Sequence, residues 1–194
     1  MKLETFKLER VTSTNDAVID LIKKNNKSTG LVYANVQTLG RGTRGRKWIS
    51  DEGNLFASLF FPLENKFPSF AEFSVINPVI ISEVITNIYE AKNITLKFPN
   101  DIFLNGKKIC GILQEIITLN NINYLIVGIG MNIISNPKIT NSYEATNILK
   151  ETKKMIDIEN LIEKIAYSYE NFFMNLKSYN FISFKKKADS MVFN

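Results

Sequence analysis

The dipeptide Asn105-Gly106 constrains the fold of this chain more than any other feature, because it separates two apolar segments. Asn-Gly favours the left-handed backbone conformation that a two-residue β-hairpin needs. We therefore expect residues 102–104 and 107–117 to form neighbouring antiparallel strands. Parallel neighbours would need a crossover connection of about a dozen residues, so this part of the sheet is not doubly wound.

Apolar periodicity predicts the other elements of the fold. Strands are expected at 31–36, 55–61, 94–98 and 124–133, and helices are expected at about 13–24, 70–90 and 156–176. Pro78 lies inside the second helical segment and predicts a kink there or a later start. Helices thus precede, interrupt and follow hairpin-connected strands. This order favours an α+β sheet whose helices cover one face.

Length and composition fit a single domain over residues 1–194. The chain is 45% hydrophobic and has no internal repeat or linker, so it can bury one sizeable core. A single cysteine, Cys110, excludes an internal disulfide and is expected to be a packed thiol. The sequence has no histidine, which excludes histidine-based catalytic triads, general bases and metal sites.

Charge and hydropathy give expectations about location and partners. The net charge of +5 comes from lysines spread along the sequence, and this pattern is more typical of a solvated surface than of a nucleic-acid groove. The N-terminus lacks the apolar run of a signal peptide, and no uninterrupted apolar run approaches the length of a membrane span. We expect a cytoplasmic protein that binds neither nucleic acid nor a membrane.

Three of the four arginines, Arg41, Arg44 and Arg46, alternate with glycines in residues 40–46. A planar guanidinium group can bind a phosphate or carboxylate through two parallel hydrogen bonds, and glycines let backbone amides approach a ligand. We call residues 40–48 the arginine loop and expect it to bind an anion. Its glycines are costly to order and its arginines repel each other, so we expect disorder there until a ligand binds.

Two common nucleotide-binding motifs are excluded by their context. Residues 40–45 match the G-x-G-x-x-G dinucleotide fingerprint, but polar, turn-rich residues follow at 46–53 where that motif needs an apolar helix. Neither the segment 106–108 nor the segment 128–130 has the spacing or the terminal Ser/Thr of a Walker A loop.

Two other regions have both a structural and a chemical interpretation. Residues 97–101 and 107–115 can be a turn and a hairpin, or they can place the Asp101 carboxylate near paired lysines, with Gly111 leaving room for a ligand. Residues 128–132 put two glycines and an amide at the end of an apolar strand, which can also be a plain bulge. Taken singly, these segments leave both interpretations open.

Taken together, these segments resemble the biotin protein ligases. The family pattern is matched in order by a Ser-Thr-Asn helix start at 13–15, the arginine loop with its flank at 37–48, and the segments 97–101, 108–115 and 128–132. The resemblance covers nearly the whole chain. It implies the fold of class II aminoacyl-tRNA synthetases and biotin ligases, with a central mixed β-sheet and helices packed mainly on one face.

The resemblance also implies an activity. Such enzymes join the carboxylate of biotin to the α-phosphate of ATP with the help of Mg²⁺, and then transfer the biotinyl group to a lysine of a biotin carboxyl carrier domain. Positive charge and alignment lower the barrier between two anions, so neither step needs histidine. The implied catalytic residues are Lys108, Arg41 and Lys97.

Two sets of binding residues follow from the same resemblance. The biotin pocket is expected to be lined by Ser13, Thr14, Asn15, Gln37, Gly40, Arg41, Gly42, Thr43, Lys108 and Gly111. ATP is expected to be held by Arg44, Arg46, Trp48, Lys97, Asn100, Asp101 and Asn132. Asp101 is the implied Mg²⁺ ligand.

The sequence departs from the family pattern in three ways. Thr43 stands where many relatives carry an arginine that helps to enclose the biotinyl-adenylate, so we expect faster release of that intermediate. Phe98 replaces the usual tryptophan and lacks its N–H donor. The chain begins almost at the catalytic domain and stops where a C-terminal SH3-like domain of many relatives would start. Repressor function through an N-terminal helix-turn-helix domain is therefore not expected.

Two other functions remain open. A lipoate or octanoyl ligase or transferase has the same ancestral fold, although the R-R-x-[ST]-G-G-G-type loop of those families is absent here. A non-catalytic biotin- or nucleotide-binding regulator is the second alternative, and the presence of Lys97, Asp101 and Lys108 argues against it. The residues also leave open whether the protein forms a homodimer.

Overall fold

The computed structural model describes residues 1–25, 27–137, 144–155 and 157–193. Its elements in chain order are β1 (Thr5–Val11), α1 (Thr14–Asn25), β2 (Gly30–Gln37), β3 (Leu55–Pro62), α2 (Phe70–Tyr89), β4 (Ile94–Lys97), β5 (Asp101–Leu104), β6 (Lys107–Leu119), β7 (Ile122–Met131), α3 (Ile148–Thr152), α4 (Ile158–Met174) and α5 (Phe181–Asp189). The strands form one seven-stranded sheet in the order β1-β2-β3-β7-β6-β5-β4. β1 and β2 are parallel, and the other neighbours are antiparallel. The predicted α+β fold with a mixed sheet is confirmed.

The strand β1 was not predicted, although Phe6 and Leu8 alternate with polar residues. β1 is an edge strand whose residues are all at least partly exposed, so its alternation is short and weak. It pairs in parallel with β2, for example Phe6 with Val32, and α1 lies between the two strands in the chain. The sheet therefore contains one β-α-β unit beside its hairpins.

The two faces of the sheet are covered unequally. The larger hydrophobic cluster contains residues of α2, α4 and α5 and includes Leu59, Val127 and Ile165. The smaller cluster packs against α1 and includes Val18 and Ile126. Successive strand residues point to opposite faces, so Ile126 and Val127 belong to different clusters. α1 contacts β2, β3 and β7, so it covers only part of this face of the sheet. The rest of this sheet face has room for a cavity.

The hairpin at Asn105-Gly106 is confirmed. Its two residues have positive φ angles of 51° and 76°, as a type I′ turn requires. The following strand carries Cys110, which is fully buried. Burial raises the pKa of the Cys110 thiol, so the cysteine is a neutral, packed side chain as expected.

A β-bulge between β5 and β6 changes which side chains share a face. Ile102 pairs with Cys110, and Asp101 pairs with Gly111. On the other side of the bulge Phe103 pairs with Lys108, so β6 has one residue more than β5 at this point. The extra residue reverses the alternation. Lys108 therefore lies on the same face as Gly111.

Helix boundaries differ from the predictions at several places. α2 begins at Phe70 and continues through Pro78, so a later start is wrong. α4 begins at Ile158, and Ile156, where we expected this helix to begin, lies outside the described residues. The helices α3 and α5 were not predicted. They have 5 and 9 residues, which is too few for a clear helical period.

Among the described residues, α2 is the one helix that is long and apolar enough, by length and composition, to cross a membrane. More than half of its apolar window, 56%, is buried inside the fold. α2 packs against α4, α5 and three strands. A helix that is covered on most sides is apolar for that reason.

Ser69 forms a capping box at the start of α2. Its Oγ accepts a hydrogen bond from the Glu72 backbone N–H at 3.3 Å, and the Glu72 carboxylate accepts one from the Ser69 N–H at 2.8 Å. The Ser69 N–H holds the pKa of Glu72 below its ordinary value of 4.5. The stabilisation from this carboxylate is therefore present above pH 4.5 and is lost as the pH falls through the lowered pKa.

We expect Ser69→Ala to lower the free energy of unfolding by about 1 kcal/mol, because one capping hydrogen bond is lost. Chemical denaturation at neutral pH measures this change. Ser74→Ala, in the second turn of the same helix, is the matched control and should change stability by less than about 0.5 kcal/mol. Equal losses in the two variants would contradict the capping role of Ser69.

Candidate active site

A cavity of about 370 Å³ lies between the arginine loop and the α1 face of the sheet. Its wall is formed by the start of α1, the arginine loop, and strands β6 and β7. The predicted site residues that line it are Ser13, Thr14, Asn15, Gln37, Arg41, Gly42, Thr43, Arg46, Trp48, Asn100, Lys108, Gly111 and Asn132. The tertiary structure thus brings together most of both predicted binding sets.

Three glycines leave this part of the sheet open. Gly111 pairs with Gly130 across β6 and β7, and the Trp48 indole ring lies on both. A Cβ atom added at Gly111 would be 2.7 Å from the ring, and one at Gly130 would be closer still. A Cβ at Gly128 would be 2.5 Å from Oδ1 of Asn15. Side chains at these positions would displace Trp48 or Asn15, so the glycines set the depth of the cavity.

A hydrogen-bonded polar cluster forms the end of the cavity next to α1. Buried Ser58 lies with its Oγ 2.5 Å from Asn15 Oδ1 and 2.7 Å from Thr14 Oγ1. The backbone N–H and the hydroxyl of Thr14 donate to Gln37 Oε1 at 2.8 and 3.1 Å. Gln37 in turn donates to Ser50 Oγ at 3.0 Å. These mutual bonds satisfy the buried groups and fix where a ligand finds donors and acceptors.

Lys108 is a buried cation beside this cavity. Its Nζ lies 2.7 Å from Oδ1 of Asp101, and the two side chains are only 9% and 10% exposed. The same nitrogen lies 5.4 Å from the centre of the Trp48 ring, within cation–π distance. Asn100 donates to the same Asp101 oxygen at 3.1 Å. The bulge in β6 places Lys108 here, while its neighbour Lys107 is partly exposed and pairs with an acid outside the cavity.

The arginine loop forms a short hairpin, and its expected disorder without a ligand stays a prediction. Arg41 and Lys47 are antiparallel bridge partners, and the N–H of Trp48 donates to the carbonyl of Gly40 at 2.9 Å. At the tip, Arg44 has a left-handed φ of 57°. The backbone bonds and the pairing of Arg41 hold the loop in this conformation.

Arg41 is neutralised by protein carboxylates. Its Nη1 and Nη2 donate to the two oxygens of Glu115 at 2.7 and 2.8 Å, and Nη2 also donates to Oδ1 of Asp16 at 2.9 Å. Burial disfavours the charge, but hydrogen bonds and attraction from Glu115 and Asp16 outweigh it and raise the pKa of Arg41. The two acids reduce the repulsion between arginines on which the expectation of disorder rested.

Four predicted site residues do not line this cavity. Gly40 and Arg44 line a second cavity of about 640 Å³ beside the loop. Arg44 lies outside the first cavity because it is exposed at the hairpin tip. Lys97 is exposed at the end of the edge strand β4 and lies in the described lining of neither cavity. Asp101 contacts Lys108 instead of the cavity itself. The geometry therefore gives no support to the catalytic role of Lys97 or to Asp101 as an open metal ligand.

Three residues that shape the site were not among those predicted. Ser58 is a polar residue within the apolar strand β3, and this contrast is a signal that the sequence contains. Glu115 lies in a segment that matches the family, but no role was assigned to it. Asp16 lies in the first turn of α1 and had no predicted role in the site.

Comparison with known proteins gives a family and a fold. Residues 7–132 match the biotin/lipoate A/B protein ligase family. The chain is 30% identical over 185 residues to the bifunctional ligase/repressor BirA of Bacillus subtilis, and the match covers 90% of this chain and 55% of that protein. It thus spans about half the length of this relative.

Two further proteins are similar over most of the chain. The biotin–[acetyl-CoA-carboxylase] ligase of Paracoccus denitrificans is 27% identical over 180 residues, which is 90% of this chain and 75% of that protein. The crystal structure of biotin protein ligase from Leishmania major in complex with biotinyl-5-AMP has a TM-score of 0.84 and 28% identity, and covers 98% of this chain and 81% of that one.

The single tryptophan tests the glycine platform. We expect Gly130→Ala to shift the Trp48 emission to longer wavelength in the protein without ligand, because the added Cβ moves the partly buried ring toward solvent. Gly128→Ala lies on the same strand and face but meets Asn15 instead, so it is the matched control and should leave the emission unchanged. An unshifted spectrum for Gly130→Ala would refute the placement of the ring.

Proposed function

The chain belongs to the biotin/lipoate A/B protein ligase family, and on that premise we propose that it activates biotin with ATP and transfers it to a lysine of a carrier protein. The activated intermediate is biotinyl-5′-AMP, the compound bound to the Leishmania major relative. The name of the Paracoccus denitrificans relative specifies acetyl-CoA carboxylase. We therefore propose the biotin carboxyl carrier domain of such a carboxylase as the acceptor.

The proposal rests on one observation: the buried cation Lys108 and the polar cluster around Thr14 lie at different places along one small cavity. The volume of about 370 Å³ suits a small molecule. Biotin has a polar ureido ring, an apolar chain and a carboxylate. We assign the ring to the cluster around Thr14, Asn15 and Gln37, the chain to the wall that includes Trp48, and the carboxylate to Lys108.

In the first reaction a carboxylate oxygen of biotin attacks the α-phosphorus of ATP. A new P–O bond forms, the bond to the β-phosphate bridging oxygen breaks, and pyrophosphate leaves with the electron pair. The charge of Lys108 reduces the repulsion between the two anions and stabilises the charge that develops between them. Asp101 holds the Lys108 ammonium in place at 2.7 Å. Arg46 and Asn132 line the same cavity and are our candidates for contacts with the nucleotide.

In the second reaction the amine of the acceptor lysine attacks the carbonyl carbon of the adenylate. An amide bond forms, the C–O bond to AMP breaks, and the amine proton passes to solvent. AMP is a good leaving group because its phosphate carries the departing charge. The step depends on holding the adenylate for the carrier lysine, and the hairpin of the arginine loop over the cavity suits this purpose.

The requirement for Mg²⁺ remains a prediction. No group of three or more histidine, cysteine or acidic side chains that could hold a metal ion occurs in the part of the chain that the structure describes. Asp101, the predicted ligand, is paired with Lys108. The described residues therefore do not form a ready metal site, although Mg²⁺ is often bound mainly by substrate phosphates.

A lipoate ligase is the alternative within the same family. Calorimetric titration with biotin and with lipoate separates the two, and tight lipoate binding without biotin binding would overturn our choice. The cytoplasmic location and the absence of nucleic-acid and membrane partners stay predictions, which cell fractionation and binding measurements can test. Sedimentation measurements would decide whether the protein forms a homodimer, which the residues leave open.

Lys108→Met is expected to lower kcat/KM for biotin adenylation by about 100-fold or more, because it removes charge stabilisation from the transition state. Exchange of labelled pyrophosphate into ATP measures this step, and labelled biotin on a carrier domain measures transfer. Lys107→Met, at the adjacent, partly exposed lysine, is the matched control and should keep near wild-type activity. Absence of both reactions in the wild type would leave only a binding protein.

Lys108→Met leaves Asp101 as an unpaired buried charge, which is itself destabilising. The double variant Lys108→Met with Asp101→Asn removes that charge and keeps the test valid. It should fold like the wild type in a thermal unfolding measurement and still lack adenylation. Recovered adenylation in this double variant would show that Lys108 is not the residue that acts on the anions.

Thr43 lines the cavity and its hydroxyl oxygen accepts a hydrogen bond from Arg46 at 3.2 Å. We expect Thr43→Arg to slow release of biotinyl-5′-AMP by about tenfold, because a guanidinium group can bind the adenylate phosphate. Release is measured by trapping labelled adenylate that leaves the protein. Thr38→Arg adds the same charge outside this cavity and is the control. Release from the wild type that is already slow and does not differ from Thr43→Arg would contradict the prediction.

A further inference from the structure

The donors of Arg41 are directed at protein acids. Both terminal nitrogens of its guanidinium group donate to Glu115, and one of them also donates to Asp16. An anionic ligand that used this group would have to compete with two carboxylates within 2.9 Å. A guanidinium group held ready for a substrate anion would not already be bonded to two acids. The arrangement therefore does not match the catalytic role that the family resemblance implies for Arg41.

The contacts of Arg41 join three parts of the fold. Asp16 belongs to the first turn of α1, Glu115 belongs to β6, and Arg41 begins the hairpin of the arginine loop. Through the bridge between Arg41 and Lys47, the position of the first arm also fixes the second arm. Trp48 follows directly and lies on the glycines of the sheet. One guanidinium group thus connects the loop to both walls of the cavity.

Glu115 also reaches the polar cluster. Its Oε2 accepts a hydrogen bond from Asn15 Nδ2 at 2.6 Å, and Asn15 Oδ1 is bound to Ser58. The same carboxylate is therefore bonded both to the arginine loop and to the polar cluster at one end of the cavity. Its side chain is 28% exposed, against 45% for Asp16, so Glu115 is the better shielded of the two acids and its bond is screened less.

We infer that Asp16 and Glu115 form an acidic anchor that holds the arginine loop over the cavity, and that Arg41 is a positioning residue acting through this anchor. Its charge orders the loop and does not contact the reacting anions. The consequence for substrate binding rests on the proposed function, whereas the consequence for loop order does not.

Limited proteolysis tests the anchor without any substrate. Trypsin cleaves after arginine and lysine, and the loop contains four cleavage sites: Arg41, Arg44, Arg46 and Lys47. We expect Glu115→Gln and Asp16→Asn to raise the initial rate of cleavage in the loop by about five- to twentyfold, because each removes a charge-assisted bond and leaves the cleavage sites intact.

Asp20→Asn is the matched control for this measurement. Asp20 lies one turn further along α1 and pairs only with the exposed Lys24 among the described contacts, so its variant should be cleaved at the wild-type rate. Thermal unfolding confirms that each variant is folded, and Asp16→Asn carries the test if Glu115→Gln does not fold. Loop cleavage within twofold of the wild type in the folded acid variants would overturn the anchor.

A double-mutant cycle separates positioning from direct contact with substrate. Arg41→Lys keeps a charge but loses the two parallel bonds to Glu115. For Arg41→Lys, Glu115→Gln and the double variant we expect the KM for biotin to rise about five- to tenfold, with kcat changed less than about threefold. The double variant should be no worse than the poorer single variant, because both changes break one interaction.

Two kinetic results would overturn the positioning role. One is a fall in kcat with KM unchanged in Arg41→Lys, which would indicate a group that acts on the transition state. The other is a double variant whose loss equals the product of the single losses. If the wild type shows no activity with biotin, the proposed function fails, and the proteolysis measurement still decides whether the anchor exists.

Discussion

The cavity depends on the absence of side chains from one patch of the sheet. Gly111 and Gly130 face each other across β6 and β7, and Gly128 is on the same face two residues earlier. Without Cβ atoms at these positions, Trp48 and Asn15 can approach the backbone. The opposite face of the same strands carries the main hydrophobic core. The twofold alternation of a strand therefore lets one strand pair support both the core and the site.

The cavity also depends on local charge balance. Lys108 and Arg41 are two of the cations that the motifs single out, and the structure binds each to a carboxylate, Asp101 and Glu115. Such pairing lowers the cost of holding a cation beside a partly apolar cavity before any substrate anion is present. The pairing also fixes the position of each charge: at Lys108 this supplies a charge that does not have to reorganise during the reaction, and at Arg41 it holds the arginine loop in place.

Much of the fold could be predicted because its signals are local. The hairpin at Asn105-Gly106 and the helices α1 and α2 follow from a dipeptide, a capping segment and a long apolar period. β1 and α5 were missed because an edge strand and a short helix have too few buried positions to show a period. The site residues were found through ordered motifs, yet Lys97 and Arg44 do not line the cavity with the others. Their exposure depends on which strand lies at the edge and on where the hairpin turns.

By itself the sequence determined the fold class, the family and most of the residues that surround the cavity. Only the tertiary structure decided the roles within that set. A bulge places Lys108 on the face of Gly111, and Asp16 and Glu115 meet at Arg41 although they are far apart in the chain. Local patterns describe which residues share a face of one element, whereas charge pairs between elements exist only after folding brings those elements together.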